Sequence, residues 1–169
     1  MRQGLEGIFT VGVTGTKGKS STSAFIAQLL ERQERLTAVA TGIDSRIGAR
    51  LFAATDTFAE FHTFVRRCRR AGSGVLVVEL TSRALGNGLN HGLDCSVAVL
   101  TNIGTDHVPS HGNAINYLAA KQRLFKDLAV WRGTPSPVAV LNADDEHAAA
   151  FARTLRPGVR LVTFGLSRR

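Results

Sequence analysis

A chain of 169 residues that is 44% hydrophobic and 20% charged has the make-up of one globular domain, long enough to bury about 70% of its unfolded surface without staples. No apolar run approaches the roughly 20 residues of a spanning helix, and residues 1–7 lack the basic and apolar regions of a signal peptide, so a cytoplasmic protein without a membrane partner is expected. The net charge of +8 sits largely in Arg66, Arg67, Arg69 and Arg70 and in Arg153, Arg156, Arg160, Arg168 and Arg169, with little aromatic interleaving; this reads as solvated faces, or as contacts to anionic partners including a neighbouring domain, rather than as a nucleic-acid surface.

Along the chain, residues 8–13 form a β-branched apolar run and residues 21–33 a helical pattern. Between and across them, residues 12–20 read Gly-Val-Thr-Gly-Thr-Lys-Gly-Lys-Ser. A glycine-rich turn from a strand into a helix is a phosphate cradle: backbone N–H groups point into one concavity, and the helix adds the positive end of its dipole. Gly15, Thr16, Lys17, Gly18, Lys19, Ser20 and Ser21 are the candidate phosphate-binding residues, with Lys19 reaching the outer phosphates and the Ser20 hydroxyl offered to Mg²⁺. The spacing departs from the strict phosphate-loop pattern, because the glycine upstream of Gly18 lies at Gly12 and Gly15 sits inside the loop.

Beyond the loop, strand-like runs alternate with amphipathic stretches: 37–40, helix 58–71, 75–80, 97–101, helix 113–131, 138–141, helix 144–155 and 160–164. Residues 132–137 form the one linker-like stretch. The runs at 74–78 and 96–100 are continuously apolar, which implies burial on both faces. The fold expected is α/β, a three-layer sandwich with a mostly parallel sheet and a phosphate-binding loop. Ligands then sit at the carboxyl ends of the strands. Glu79 closes one run and can bind the Mg²⁺ of a nucleotide. Asp106 and His107 follow another, and an imidazole is a plausible ligand for a divalent metal. Cys68 and Cys95 have no metal-ligand spacing and read as buried or half-buried thiols, not a disulfide.

Five segments together carry a resemblance. Thr14-Gly-Thr-Lys-Gly-Lys-Ser20, Glu79-Leu-Thr-Ser-Arg-Ala-Leu85, Thr101-Asn-Ile-Gly-Thr-Asp-His107 with His111-Gly112, Tyr117-Leu-Ala-Ala-Lys121 with Leu124-Phe125, and Leu141-Asn-Ala-Asp-Asp145 stand in the order and approximate spacing of the Mur ligases. Nearly the whole chain resembles the central ATP-binding domain of that family, closest to the ligases adding the third peptide residue and more distantly to folylpolyglutamate synthetases. The resemblance implies that Lys19 and the loop amides hold the ATP phosphates, that Ser20 and Glu79 bind one Mg²⁺, and that His107 helps bind a second. It further implies that Lys121 is carbamylated by CO₂ and becomes an anion for the second metal. By sequence alone Lys121 would be an exposed helix lysine. Asn142 matches a residue contacting the adenine and Asp145 lies near the nucleotide; Asp144 or Asp145 as a helix N-cap is the competing account.

The reaction so implied is ATP-dependent amide formation, in which a carboxylate is phosphorylated to an acyl phosphate and an amine then displaces phosphate, with catalytic roles for Lys19, Lys121 and His107. Residues 1–169 correspond to the central domain alone, and the family's N-terminal and C-terminal domains are expected in cis or in trans. Other family patterns are altered: a Thr-Thr-Pro turn reads Thr55-Asp-Thr-Phe58, a Ser-Ser-His reads Thr81-Ser82-Arg83, Asp-His-Leu-Asp reads Asp106-His-Val-Pro109, and Leu89 replaces an arginine used for an acidic substrate. The carboxylate and the amine stay open. The alternatives are a stand-alone ATP-binding regulatory or scaffolding module with a decayed acceptor site, or another phosphate-loop enzyme such as a kinase.

Overall fold

The computed structural model describes residues 7–55, 57–88, 93–104, 114–130 and 136–166. In chain order the elements are β1 (Phe9–Thr14), α1 (Lys19–Glu31), β2 (Thr37–Ala40), β3 (Asp44–Ile47), β4 (Arg50–Ala53), α2 (Phe58–Arg70), β5 (Val75–Glu79), α3 (Ser82–Gly86), β6 (Cys95–Leu100), α4 (Ala114–Lys126), β7 (Val138–Asn142), α5 (Ala148–Ala152) and β8 (Arg160–Phe164). The strands form one sheet in the order β4-β3-β2-β5-β1-β6-β7-β8. From β2 to β8 neighbours run parallel, whereas β3 and β4 add an antiparallel hairpin outside β2.

Continuous apolar strands are buried on both faces, as their composition requires. In β5, Val75 and Val77 join Val11, Val13, Val39 and Ala27 under α1, while Leu76 and Val78 join Phe61, Phe64, Leu124 and Phe125 under α2 and α4. This is the three-layer α/β sandwich expected. Its switch point is β1, because the chain fills in β2 to β5 on one side and then crosses to β6 on the other. The carboxyl ends of β5, β1 and β6 therefore open into one crevice.

Several elements differ from the sequence expectation. The β3–β4 hairpin is built from two four-residue strands: β3, Asp-Ser-Arg-Ile, buries only Ser45 and Ile47, and β4, Arg-Leu-Phe-Ala, buries none of its residues fully. Strands this short carry too few periods to stand out. The expected helix over 144–155 shortens to Ala148–Ala152 because the Asp144 and Asp145 carboxylates accept backbone N–H groups, from Leu166 at 2.6 Å and from His147 at 2.8 Å, and hold a turn instead. Neither aspartate is the N-cap of α5; that position is His147, without a side-chain cap. By contrast α2 begins on a capping box formed by Thr57 and Glu60. Most of the linker-like stretch lies outside the described residues.

Cys68 and Cys95 are free and buried. Burial pushes both thiols up to about 12, which makes them inert packing groups. Among the described residues no helix is long and apolar enough to cross a membrane.

Candidate functional site

The loop between β1 and α1 is shaped by glycine and gripped by the end of β6. Gly15 has φ +152°, and a Cβ there would stand 1.9 Å from Thr101 Oγ1, so only glycine lets β6 come this close. Thr16 N–H donates to the Asn102 carbonyl at 2.8 Å. The Asn102 side-chain amide clasps Lys17 from both sides, accepting from its N–H at 2.9 Å and donating to its carbonyl at 3.0 Å. Thr101 Oγ1 donates to the same carbonyl at 2.7 Å. Thr16 Oγ1 accepts from Gly104 N–H at 2.7 Å and lies 2.9 Å from Tyr117 Oη on α4. The loop is thus fixed before any ligand arrives. Nothing in the Thr101-Asn102 segment of the sequence marks Asn102 for this role.

Gly12, the upstream glycine of the motif, lies in β1 and not in the loop. A Cβ at this position would stand 2.8 Å from Leu124 Cδ1 and 3.2 Å from Cys95 Sγ. Its absence lets α4 lie close against the sheet.

At the loop's exit, α1 opens on Gly18 with φ +78° and no side-chain cap, which leaves the opening N–H groups of the helix for an acceptor outside it. Ser21 stands exposed on this first turn. The parallel register sets Glu79 beside Val13, one residue before the end of β1. From there its carboxylate accepts from Ser20 Oγ at 2.6 Å and from Gly42 N–H at 3.3 Å, and lies 3.7 Å from Lys19 Nζ. Lys19 also donates to the Thr16 carbonyl at 3.0 Å. An alcohol, a carboxylate and an ammonium therefore converge at one loop mouth.

Lys121 departs most from a reading by sequence alone. It is 1% exposed, donates to the Gly15 carbonyl at 2.7 Å and lies 4.7 Å from the Tyr117 ring centre. Burial, reinforced by the Lys19 charge and opposed by Glu79, lowers its pKa from 10.5 to about 7. It lines a cavity of about 330 Å³ together with Gly15, Lys19, Ser82, Arg83 and Tyr117.

The other flank is built by β7. Asn142 Nδ2 donates to the Thr101 carbonyl at 3.0 Å, and its Oδ1 accepts from Asp144 N–H at 3.0 Å. Asp145 accepts from Ile103 N–H at 2.5 Å and so anchors the segment after β6. Asn142 and Asp145 both stand at the carboxyl edge of the sheet, tied to the strand that grips the loop. Asp106, His107, His111 and Leu89 lie outside the described residues. Among the described residues no cluster of three His, Cys, Asp or Glu side chains could hold a metal ion; Ser20 and Glu79 are a pair of hard oxygen donors, which suits Mg²⁺ completed by phosphate oxygens and water.

A parallel sheet, a glycine loop running into α1 and a carboxylate at the end of the neighbouring strand define a phosphate-loop α/β domain. The family model for the Mur ligase middle domain matches residues 13–169, and the chain belongs to the Mur ligase family. It is 34% identical over 167 residues to UDP-N-acetylmuramoyl-L-alanyl-D-glutamate--2,6-diaminopimelate ligase of Ralstonia nicotianae, covering 96% of this chain and 31% of that protein. It is also 34% identical to UDP-N-acetylmuramyl-tripeptide synthetase of a Roseiflexus species, over 83% of this chain and 30% of that protein. A solved UDP-N-acetylmuramoyl-L-alanyl-D-glutamate--2,6-diaminopimelate ligase superposes with a TM-score of 0.84 at 27% identity, over 98% of this chain and 33% of that one. The folylpolyglutamate synthase of Mycobacterium tuberculosis, solved with ADP, shares the fold with a TM-score of 0.77 at 18% identity, over 98% of this chain and 45% of that one. The chain thus spans about a third of the length of the curated relatives it matches.

Proposed function

We propose that this chain is the ATP-binding middle domain of an ATP-dependent ligase that joins a carboxylate to an amine, of the kind named in its peptidoglycan-precursor relatives. The observation that carries the reading is the convergence of Ser20 Oγ and Lys19 Nζ on Glu79, at 2.6 and 3.7 Å, beside an uncapped helix start. The loop N–H groups and Lys19 would bind the β- and γ-phosphates, and Lys19 would release Thr16 to do so. Asn142 and Asp145, at the carboxyl edge of the sheet, are the residues proposed to lie beside the base, and the Asn142 amide keeps a second position on each polar atom. Ser20 and Glu79 are the residues proposed to hold one Mg²⁺, with His107 and Lys121 assigned to a second. When bound, magnesium supplies charge neutralisation across the phosphates and orients the transferred group.

In the proposed reaction a substrate carboxylate oxygen attacks the γ-phosphorus, and the bond to the bridging oxygen breaks to release ADP. The amine nitrogen then adds to the acyl carbon, loses a proton and expels phosphate. Lys19 offsets negative charge on the migrating group and on the departing ADP. Lys121, its pKa lowered to about 7 by burial, would more readily offer the free electron pair needed to add CO₂: an N–C bond forms, a proton leaves, and a hydrogen-bond donor becomes a carbamate with two acceptor oxygens. The carboxylate and amine would be presented by other ligase domains, in cis or in trans.

Calorimetric titration of the chain with ATP, with and without Mg²⁺, tests the reading. Magnesium-dependent binding that Lys19→Ala abolishes is expected. Equal affinity in the Lys19→Ala chain, or no binding by the native one, would sink it.

A further inference from the structure

The arginines of α2 take no part in the phosphate-loop site, yet their surroundings are organised. β4 is an outermost strand, paired only with β3 among the described residues, so half of its backbone donors and acceptors face away from the sheet. Between β4 and α2 lies a cavity of about 630 Å³ lined by Leu36, Arg50, Leu51, Phe52, Arg67 and Arg70, among others. A second cavity of about 290 Å³ shares Phe52 and Arg67, so the two adjoin between β4 and α2. The Phe52 ring packs edge-on against Phe64 at 5.8 Å, and the Arg50 and Arg67 guanidinium carbons lie 5.3 and 5.2 Å from its centre.

Stacked guanidiniums are held in place with their N–H forks still available. Among the described residues no carboxylate pairs with Arg50, Arg67 or Arg70. Glu60, the carboxylate on the wall of the second cavity, is engaged in the Thr57 capping box. An open strand edge, an apolar wall and a rim of unpaired arginines match one occupant. It is an extended polypeptide whose backbone pairs with β4, whose apolar side chains rest on Leu36 in the cavity wall, and whose carboxylates meet the arginines. A single-stranded nucleic acid would use the charge but leave the strand edge unpaired.

We propose that the β4–α2 groove docks an extended acidic segment of a separate polypeptide, added to the sheet beside β4. The test is fluorescence anisotropy of the 169-residue chain with a short labelled peptide alternating Glu and Val, together with amide hydrogen exchange across β4. Saturable binding is expected, with slowed exchange in β4. The double change Arg67→Glu with Arg70→Glu should weaken it at least about tenfold, the scale of one charge-assisted hydrogen bond. The charge-matched change Arg153→Glu with Arg160→Glu, on α5's C-cap and the opposite edge strand, should leave affinity within about twofold. These side chains are exposed, and thermal melting confirms folding; if the double variant does not fold, Arg50→Gln carries the same expectation of weakened binding. Absence of peptide binding, equal loss in the two double variants, or equal binding of oligothymidylate without protection of β4 overturns the proposal.

Discussion

Lys121 Nζ lies 2.7 Å from the Gly15 carbonyl oxygen, so a buried amine on α4 is moored to the main chain of the loop it adjoins. Burial lowers this amine to about 7 from 10.5. The unfolded chain binds the proton below 10.5, whereas the folded chain binds it only below about 7. Between those values the unfolded state holds more protons, and stability rises with pH across that window. Lys121→Met removes this contribution. Chemical denaturation should therefore find the variant's stability relative to the native chain falling as pH is raised from about 7 toward 10.5. Parallel curves would show that the amine is not perturbed.

Glu79 bridges the loop lysine and the loop serine. Glu79→Gln keeps the shape but removes the charge that would hold Mg²⁺. Titration with ATP should show the magnesium-dependent part of the affinity reduced at least about tenfold, with magnesium-free binding retained or slightly improved because a negative charge near the phosphates is gone. An unaltered response to magnesium would remove Glu79 from the metal assignment.

The two-sided clasp of Asn102 on Lys17 orders the loop in the free chain. Asn102→Ala should lower stability by about 1 kcal/mol and weaken ATP binding more than that change implies, because the loop must then be ordered on binding. Amide exchange at Lys17 reads the clasp directly; unchanged protection in the variant would refute it.

Gly15 allows no substitute. In Gly15→Ala the new Cβ meets Thr101 Oγ1 at 1.9 Å, at φ +152°, and a cost of about 3 kcal/mol follows from overpacking combined with backbone strain. Adding Thr101→Ala should recover only part of it, since the clash is relieved but the backbone is not. Full recovery of the melting temperature would show that strain contributes nothing.

Much of the glycine loop and its surroundings was legible because it rests on local chemistry. The loop declares itself through glycines between a strand and a helix, and Glu79 through its place at the end of a run of valines. What the one-dimensional pattern withheld depends on long-range packing. Lys121 follows Ala119 and Ala120 on a helix and carries no mark of burial; only the approach of α4 to β1 places it inside. The Asn102 clasp joins residues 85 positions apart, and side chain to backbone bonds over such distances leave no periodic trace. The β3–β4 hairpin is hidden for a third reason: the Asp, Ser, Arg and Gly residues around its first strand favour a loop, and that strand owes its character to pairing with β2 on one side and β4 on the other.

The missing side chain at Gly12 acts on chemistry it never touches. Leu124 fills the space a Cβ would take, and Lys121 stands one helical turn earlier on the same helix. A methyl group at residue 12 would force the Leu124 side chain, 2.8 Å away, out of its place between α4 and the sheet and so disturb the packing of the helix that carries the amine. The seat of that lysine is thus prepared from within the central strand, by the room a bare backbone leaves for Leu124.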